Sequence, residues 1–325
     1  MGILALDIGG AFIKSTYLPV TGRQKYSIIP FHLYEQPKKL VSILKSIRRE
    51  RGKQEVAVTM TGELCDCFKS RRDGVRHIAK TAESVFGRNV KIFSRKGRLV
   101  SVKQAVRKWE ETASANWAIT PLWLGGFADD FLVMDIGSTT TDITPVRKKV
   151  IANKGWNDFE RSVNGELVYT GYLRTTTAAV AQSVTLRGRK VPLSSENFCN
   201  MGDVHLIRGA ITKAKYNTKA PDGGGSTRTA AMKRLARQLM AERSEFSVRE
   251  LEIVADRLAD AQLSKIVKAA RRFRLKVVPI GSGSFIVGEA LRTGKLKPHP
   301  LARMDGVNRL GPTLSLAYLM RDKLL

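Results

Sequence analysis

The sequence predicts an α/β protein of two domains with duplicated mixed sheets, and three observations carry the prediction. The chain has 325 residues, enough for two domains at roughly 100–200 residues each. Short apolar runs alternate along it with amphipathic runs of helical period. The segment Leu6-Asp7-Ile8-Gly9 returns 128 residues later as Met134-Asp135-Ile136-Gly137, each time followed by small residues and a second strand-like run. Internal similarity of this kind marks a repeated structural unit.

Gly2–Asp7 reads as a buried strand. Its acid stands where a signal peptide needs an apolar stretch, so the segment is expected to open a cytoplasmic protein. Glycines between apolar runs signal a hairpin, which makes Ile8–Ala11 a turn and Phe12–Leu18 the second strand. Pro37–Arg51 carries Leu40, Ile43, Leu44 and Ile47 on one helical face. Glu55–Met60 reads as a strand with Val56 and Val58 inward, Val75–Phe86 as a helix and Val90–Phe93 as a short strand. Ser101–Ala115 reads as helical, with Trp117 as its anchor. Phe131–Asp135, the turn Ile136–Thr140 and the strand Thr141–Val146 repeat the opening hairpin. Ser247–Arg272 is a long amphipathic helix with Leu251, Val254, Leu258, Ala261, Ile266 and Ala269 among its apolar positions. Strand Lys276–Ile280 then runs into Gly281-Ser282-Gly283-Ser284, and Phe285–Thr293 reads as a helix.

Composition excludes several classes. Hydrophobic residues make up 43% and charged residues 26%, which is a globular and not a disordered balance. No apolar run reaches the about 18 residues of a membrane span. The net charge is +27, from 56 basic and 29 acidic residues. The excess is uneven: residues 51–100 carry 12 basic against 5 acidic, whereas 101–150 carry 6 against 6. No helix-turn-helix, zinc finger or RNP-type aromatic strand accompanies it, so no specific nucleic-acid partner is expected. Attraction of anionic substrates and non-specific adhesion to polyanions at low salt are. Cys65, Cys67 and Cys199 are odd in number, which argues against a disulfide framework. The four histidines form no ligand motif, so no transition-metal site is expected, and His205, close to Asp203, is assigned no role.

An anion near backbone needs N–H groups pointing at it with no Cβ in the way. Gly9-Gly10, Gly137-Ser138 and Gly281–Ser284 can each supply this, and Ser138, Thr139 and Thr140 add hydroxyl donors. Asp7 and Asp135 end strands, where a carboxylate can hold a hydrated Mg²⁺ that bridges phosphate oxygens.

These residues carry a resemblance. Asp7-Ile8-Gly9-Gly10, Asp135-Ile136-Gly137-Ser138-Thr139-Thr140-Thr141-Asp142 and Val277–Gly283 resemble the phosphate-1, phosphate-2 and adenosine motifs of the actin/Hsp70/sugar-kinase superfold. The resemblance implies a two-lobed actin-like ATPase (ribonuclease H-like) fold, a five-stranded mixed sheet in each lobe and a ligand in an interlobe cleft. It divides the chain into 1–128 with 306–325, and 129–305. The Ser-Thr-Thr-Thr-Asp hairpin also resembles the hydantoinase A/oxoprolinase family. Within that family, Thr59–Phe68, Gly165–Gly171 and Ser226–Ala231 resemble the branch linked to tetrahydromethanopterin and methanofuran C1 metabolism. The run Arg174-Thr175-Thr176-Thr177 departs from the Arg-Thr-Pro of that branch, and the basicity is a second departure.

The branch implies a transferase of methanofuran biosynthesis. It would join an aminomethyl-furan-methyl diphosphate to the phenol of γ-glutamyltyramine and release pyrophosphate. The implied phosphate contacts are Asp7, Gly9, Gly10, Lys14, Gly137, Ser138, Thr139 and Thr140, with Asp7 and Asp135 on magnesium. Gly281, Ser282 and Gly283 would hold a nucleotide-like second ligand. Lys14 corresponds to Asp142 in the second copy, so Lys14 is expected on phosphate and Asp135 and Asp142 on the metal or its waters; a solvated strand lysine and a hairpin salt bridge are the alternatives. Glu63 is the candidate base for the phenol, whose pKa is near 10, against a helix-start carboxylate. Glu166 and Arg174 flank Leu167–Tyr172, which lines the substrate or packs the core. Arg228 pairs with the γ-glutamyl carboxylate or phosphate, or is a loop arginine with no partner. An ATP-dependent kinase or oxoprolinase-like enzyme of the same fold is the alternative activity, and a non-catalytic nucleotide-responsive protein a third. ATP use and oligomeric state stay open.

Overall fold

The computed structural model describes residues 1–49 and 54–322, so the end of the predicted helix at 50 and 51 lies outside the described residues. The chain forms two compact units. The first comprises Met1–Asp129, Val146–Ala152 and Leu310–Leu325; the second comprises Asp130–Pro145 and Asn153–Arg309. The ribbon Val146–Ala152 goes with the first unit although it continues a strand of the second. Lys149 N–H donates to Asp129 O there, and Val150–Ile151 packs on the helix Ile119–Leu124. Residues 306–309 go with the second unit, where Val307–Arg309 packs on the strand Val277–Ile280.

The first unit holds a six-stranded sheet. Its strands are β1 (Gly2–Ile8), β2 (Phe12–Leu18), β3 (Lys25–Pro30), β4 (Gln54–Met60), β5 (Lys91–Ser94) and β6 (Arg98–Val100), in the order β3-β2-β1-β4-β5-β6. β1 is central, antiparallel to β2 and parallel to β4. A strand covered on both faces must be apolar without alternation, and β1 is, save for Asp7. The helices Leu40–Arg49 and Arg71–Phe86 bury Leu40, Leu44, Ile78 and Ala82 in one core with Leu4, Leu6 and Val58. The helix Pro312–Arg321 packs on β1 and β2, and Thr16 of β2 donates to Thr313 Oγ1 at 2.8 Å.

The second unit repeats the core of this pattern. β7 (Phe131–Ile136), β8 (Thr141–Arg147), β10 (Leu167–Val168) and β13 (Val277–Ile280) run in the order β10-β8-β7-β13, and β9 (Val150–Ile151), on the ribbon Val146–Ala152, pairs with the end of β8 as the fifth strand. β11 (Ser183–Leu186) and β12 (Arg189–Pro192) make a separate hairpin. β13 lies parallel to β7 as β4 lies parallel to β1. The five strands expected in each sheet are thus six in the first: β3 and β6 are half-exposed edges with little apolar signal.

The long helix spans Val248–Arg271. Ser247 caps it, and Ser247 and Glu250 form a capping box that closes its first turn. The predicted helix Ser101–Ala115 is two short ones, Val102–Arg107 and Trp109–Thr112. The helical path ends where Ala113 turns extended and Ser114 adopts φ +45°. Trp117 is buried beyond it. No helix among the described residues is long and apolar enough to cross a membrane.

Candidate functional site: two hairpin turns and their braces

The two Asp-Ile-Gly turns close identically. Gly9 N–H donates to Phe12 O at 3.0 Å, and Gly137 N–H donates to Thr140 O at 2.9 Å. The 128-residue offset maps one bond onto the other. These two N–H groups are therefore used inside their turns and do not face an anion, contrary to the expectation for Gly9 and Gly137.

Other N–H groups do turn outward, because each turn is held from behind. In the second copy Tyr172 N–H donates to Gly137 O at 3.1 Å, and Leu173 and Arg174 N–H donate to Ser138 O at 3.2 and 2.8 Å. No peptide bond is cis. In a trans peptide the C=O and the next residue's N–H point in opposite directions. With the Gly137 and Ser138 carbonyls turned toward 171–174, the Ser138 and Thr139 N–H groups point away from it. In the first copy Leu33 N–H donates to Gly10 O at 2.9 Å, and the Ala11 N–H is directed outward by the same geometry. Successive N–H groups that face the same way are what an anion-binding concavity needs, and the carbonyl contacts give Ser138 and Thr139 such a pair.

The brace behind the second turn is tight. A Cβ on Gly171 would come within 2.4 Å of Thr139 N and 2.5 Å of Gly137 O, so only glycine lets the strands approach. Arg174 continues this segment: exposed, it donates from Nη2 to Ser138 Oγ at 3.3 Å. The third turn joins from the side. Ile280 is registered with Asp135, and Gly283 N–H donates to Ile136 O at 2.9 Å. Gly281 has φ +81°, and its Cα faces Asp135 Oδ1 so closely that a Cβ would lie 2.2 Å from it. Gly281–Gly283 and Asp135–Thr140 are one continuous surface of the second unit. In the first unit Thr61 N–H donates to Ile8 O at 3.0 Å, so the Thr59–Phe68 motif braces the first turn in the corresponding place.

The carboxylates differ. Asp7 is 4% exposed, directly across the ladder from Lys14 and beside Thr59 on β4. Burial pushes its pKa up, while Lys14 and a hydrogen bond from Asn116 pull against that. Asp7 Oδ1 and Thr59 Oγ1 are both buried without a hydrogen-bond partner. Asp135 is half-buried. No three His, Cys, Asp or Glu side chains gather into a metal-holding group among the described residues. Magnesium, however, takes one or two carboxylates and completes its shell with water and phosphate oxygens. Asp7, with an unsatisfied buried oxygen, and Asp135, beside the anion-facing turn, each fit that donor set.

Four predicted residues have structural work instead. Asp142 accepts from Arg161 Nη2 at 2.8 Å, the hairpin ion pair that was its alternative, and Arg161 is only 1% exposed. Glu63 is 1% exposed and accepts from Ser114 Oγ at 2.6 Å, with Arg71 3.8 Å away. A base must reach the proton it takes, and this carboxylate is shut inside the first unit. Glu166 accepts the backbone N–H groups of Lys154 and Gly155 at 2.6 and 2.9 Å, clasping a loop. Arg228 opens the helix Arg228–Gln238 and binds Glu252 at 2.5 Å and Ile207 O at 3.0 Å. Tyr172 packs the core, whereas Tyr169 is exposed.

Sequence reasoning missed Asn116, Arg161 and Gln262. Only Gln262 left a signal: it lies four residues after Leu258 and four before Ile266, on the apolar stripe. A further cluster buries Arg234 between Asp203, at 2.6 Å, and Asp222, at 3.1 Å, with Tyr216 on Asp203. An open groove of about 550 Å³, lined by Phe68, Lys69, Arg76, His77 and Lys80 among others, holds none of the predicted site residues.

The chain resembles known proteins over most of its length. The hydantoinase/oxoprolinase family model matches residues 54–281. The (4-{4-[2-(gamma-L-glutamylamino)ethyl]phenoxymethyl}furan-2-yl)methanamine synthase of Methanocaldococcus jannaschii is 32% identical over 329 aligned residues, 99% of this chain and 98% of that protein. The synthase of the same name from Methanococcus vannielii is 32% identical over 205 residues, 59% of this chain and 91% of that protein. Among solved structures, a nucleotide-free acetone carboxylase matches at TM-score 0.50 with 9% identity, covering 94% of this chain and 67% of that one. That likeness concerns the fold alone, which is of the actin-like ATPase and sugar-kinase class. With its family model matched across both units and a relative matched end to end, the chain belongs to the hydantoinase/oxoprolinase family.

Proposed function

We propose that the chain is a transferase of methanofuran biosynthesis. It joins an aminomethyl-furan-methyl diphosphate to the phenol of a γ-glutamyl tyramine and releases pyrophosphate. The carrying observation is the 32% identity to the M. jannaschii synthase across 99% of this chain. The phenol oxygen attacks the furan-methyl carbon as the carbon–oxygen bond to diphosphate breaks; the phenol proton passes to water, and the electron pair of the broken bond goes with pyrophosphate. Such a leaving group needs its charge met as it departs.

The second hairpin suits that demand. Ser138 and Thr139 would direct backbone N–H groups and hydroxyls at the diphosphate, with Thr140 beside them and Arg174 adding a cation. In the first unit, Lys14 and the outward Ala11 N–H beside Gly10 are the equivalent donors. Magnesium held by Asp7 or by Asp135 would neutralise phosphate oxygens. The Gly281-Ser282-Gly283 turn would contact the second ligand. Small anionic substrates agree with the basic surface. A cytoplasmic place of work is part of the reading, supported by three free thiols, which persist in a reducing compartment.

Incubation of the protein with the furan diphosphate and γ-glutamyltyramine should give the ether, identified by mass spectrometry, and pyrophosphate. Thermal shift separates this from the ATP-using alternative: pyrophosphate with Mg²⁺ should stabilise the protein and ADP should do little. Strong stabilisation by ADP with none by pyrophosphate would favour the alternative.

A further inference from the structure

We propose that Gln262 is the positioning residue of the anion-facing second turn, acting through Gly171. This rests on the reading of that turn as the diphosphate cradle. Gln262 is fully buried on the long helix Val248–Arg271, at a position where its neighbours along the stripe are apolar. Its amide nitrogen makes two hydrogen bonds, to Thr170 Oγ1 at 2.8 Å and to Gly171 O at 2.9 Å. Both amide hydrogens are thus committed to the two residues that begin the brace. Its oxygen lies 2.9 Å from His205 Nε2. Because the nitrogen side must donate to Thr170 and Gly171, the oxygen side must accept, so His205 carries its proton on Nε2.

The amide is therefore fixed in rotation at both ends. Burial drives His205 down to about 4, so this donor keeps its neutral form through the neutral range. On the far side of Gly171 the packing leaves no slack, with Thr139 N, Gly137 O and Ser138 C within 2.5 Å of a notional Cβ. Thr175 Oγ1 receives the Gly171 N–H at 2.8 Å, and Thr141 Oγ1 donates to Thr170 O at 2.7 Å. Thr141 and Thr175 hold the Thr170–Gly171 peptide, and Gln262 holds the next one, Gly171–Tyr172, by its carbonyl; the N–H of that peptide donates to Gly137 O, and the Leu173 and Arg174 N–H groups that follow donate to Ser138 O. Loss of the Gln262 amide releases the peptide whose position sets the direction of the Ser138 and Thr139 N–H groups. A buried polar side chain that touches neither turn nor solvent is thereby tied to anion affinity.

The test measures pyrophosphate affinity with Mg²⁺ by calorimetry for the whole protein and for Gln262→Leu, with KM for the phenol substrate and amide exchange at 170–174. Pyrophosphate binding should weaken roughly tenfold, the scale of one buried donor. KM for the phenol should hold, and exchange at Leu173 and Arg174 should accelerate. A lowered Tm with unchanged pyrophosphate affinity at a temperature well below it would overturn the proposal, since that is all a packing role predicts. Should Gln262→Leu fail to fold, Thr170→Val removes one of the two acceptors and should weaken pyrophosphate about threefold; unchanged affinity there overturns it equally. Wild-type protein that does not bind pyrophosphate would sink the diphosphate reading itself, which the mutant comparison alone cannot do.

Discussion

The first and second hairpins share a turn but not a way of holding charge. In the first, the strand-end acid Asp7 is buried with Lys14 across the ladder. In the second, Asp135 is half-buried, and position 142, the equivalent of Lys14, is an aspartate tied to the buried Arg161. The lysine within one hairpin is replaced by an arginine brought from 19 residues away. A duplicated backbone thus keeps its hydrogen bonds, because these depend on no side chain, while the charges are redistributed around it. The second copy is left with its turn's hydroxyls, outward N–H groups and Arg174 on one surface.

The largest test of that contrast is Arg161→Met. Arg161 is buried but the Asp142 side chain is 24% exposed, so removing the arginine should cost about 3 kcal/mol, the low end for breaking a buried pair, and urea unfolding should show a loss of that order. Lys14→Met leaves Asp7, whose pKa burial already raises, able to shed its charge by taking up a proton, so it should cost clearly less; equal costs would erase the distinction.

Acid comes next. His205 in the second unit is held at about 4 by burial against about 6.5 when unfolded. Its folded pKa is depressed, so the unfolded chain binds the extra proton between those values. Stability falls as pH drops through this window, by roughly 3 kcal/mol at its lower end. His205→Gln should flatten that part of the urea-midpoint profile.

Gly171→Ala should then cost about 1–3 kcal/mol, the range of overpacking, because the brace cannot admit a Cβ. Gly137→Ala, whose Cβ would meet Thr140 O at an ordinary 3.4 Å, should be milder. The smallest effect has the opposite sign. Burial raises the pKa of Asp7, so folding at neutral pH must desolvate a charge it disfavours. Asp7→Asn should raise Tm while weakening magnesium-dependent pyrophosphate binding, the trade expected of a functional carboxylate. A lower Tm would mean that the Lys14 attraction outweighs burial.

Elements with strong local patterns were legible. β2 spans the predicted Phe12–Leu18, and the long helix begins one residue inside its predicted start at Ser247, because glycine-bounded apolar runs and an apolar stripe of helical period are local signals. The edge strand β3, the hairpin β11–β12 and the helix Met201–Ile207 were not, because short or half-exposed segments carry weak periodicity. The site was half legible. The turns and their glycines are legible, whereas the partners that the fold gives Glu63, Asp142, Glu166 and Arg228 are not. Each of those four is a charged residue whose partners lie between 8 and 51 residues away in the chain.

Local order along the chain dictates where it turns, which strands are apolar on both faces and that one hairpin is written twice. Those properties need only neighbours within a few residues, where period and glycine placement act. Which carboxylate meets an arginine, which is sealed against a serine and which is left with an unsatisfied oxygen follow from packing alone. A charge is satisfied by whatever the fold brings within about 3 Å, and chain order does not specify that distance.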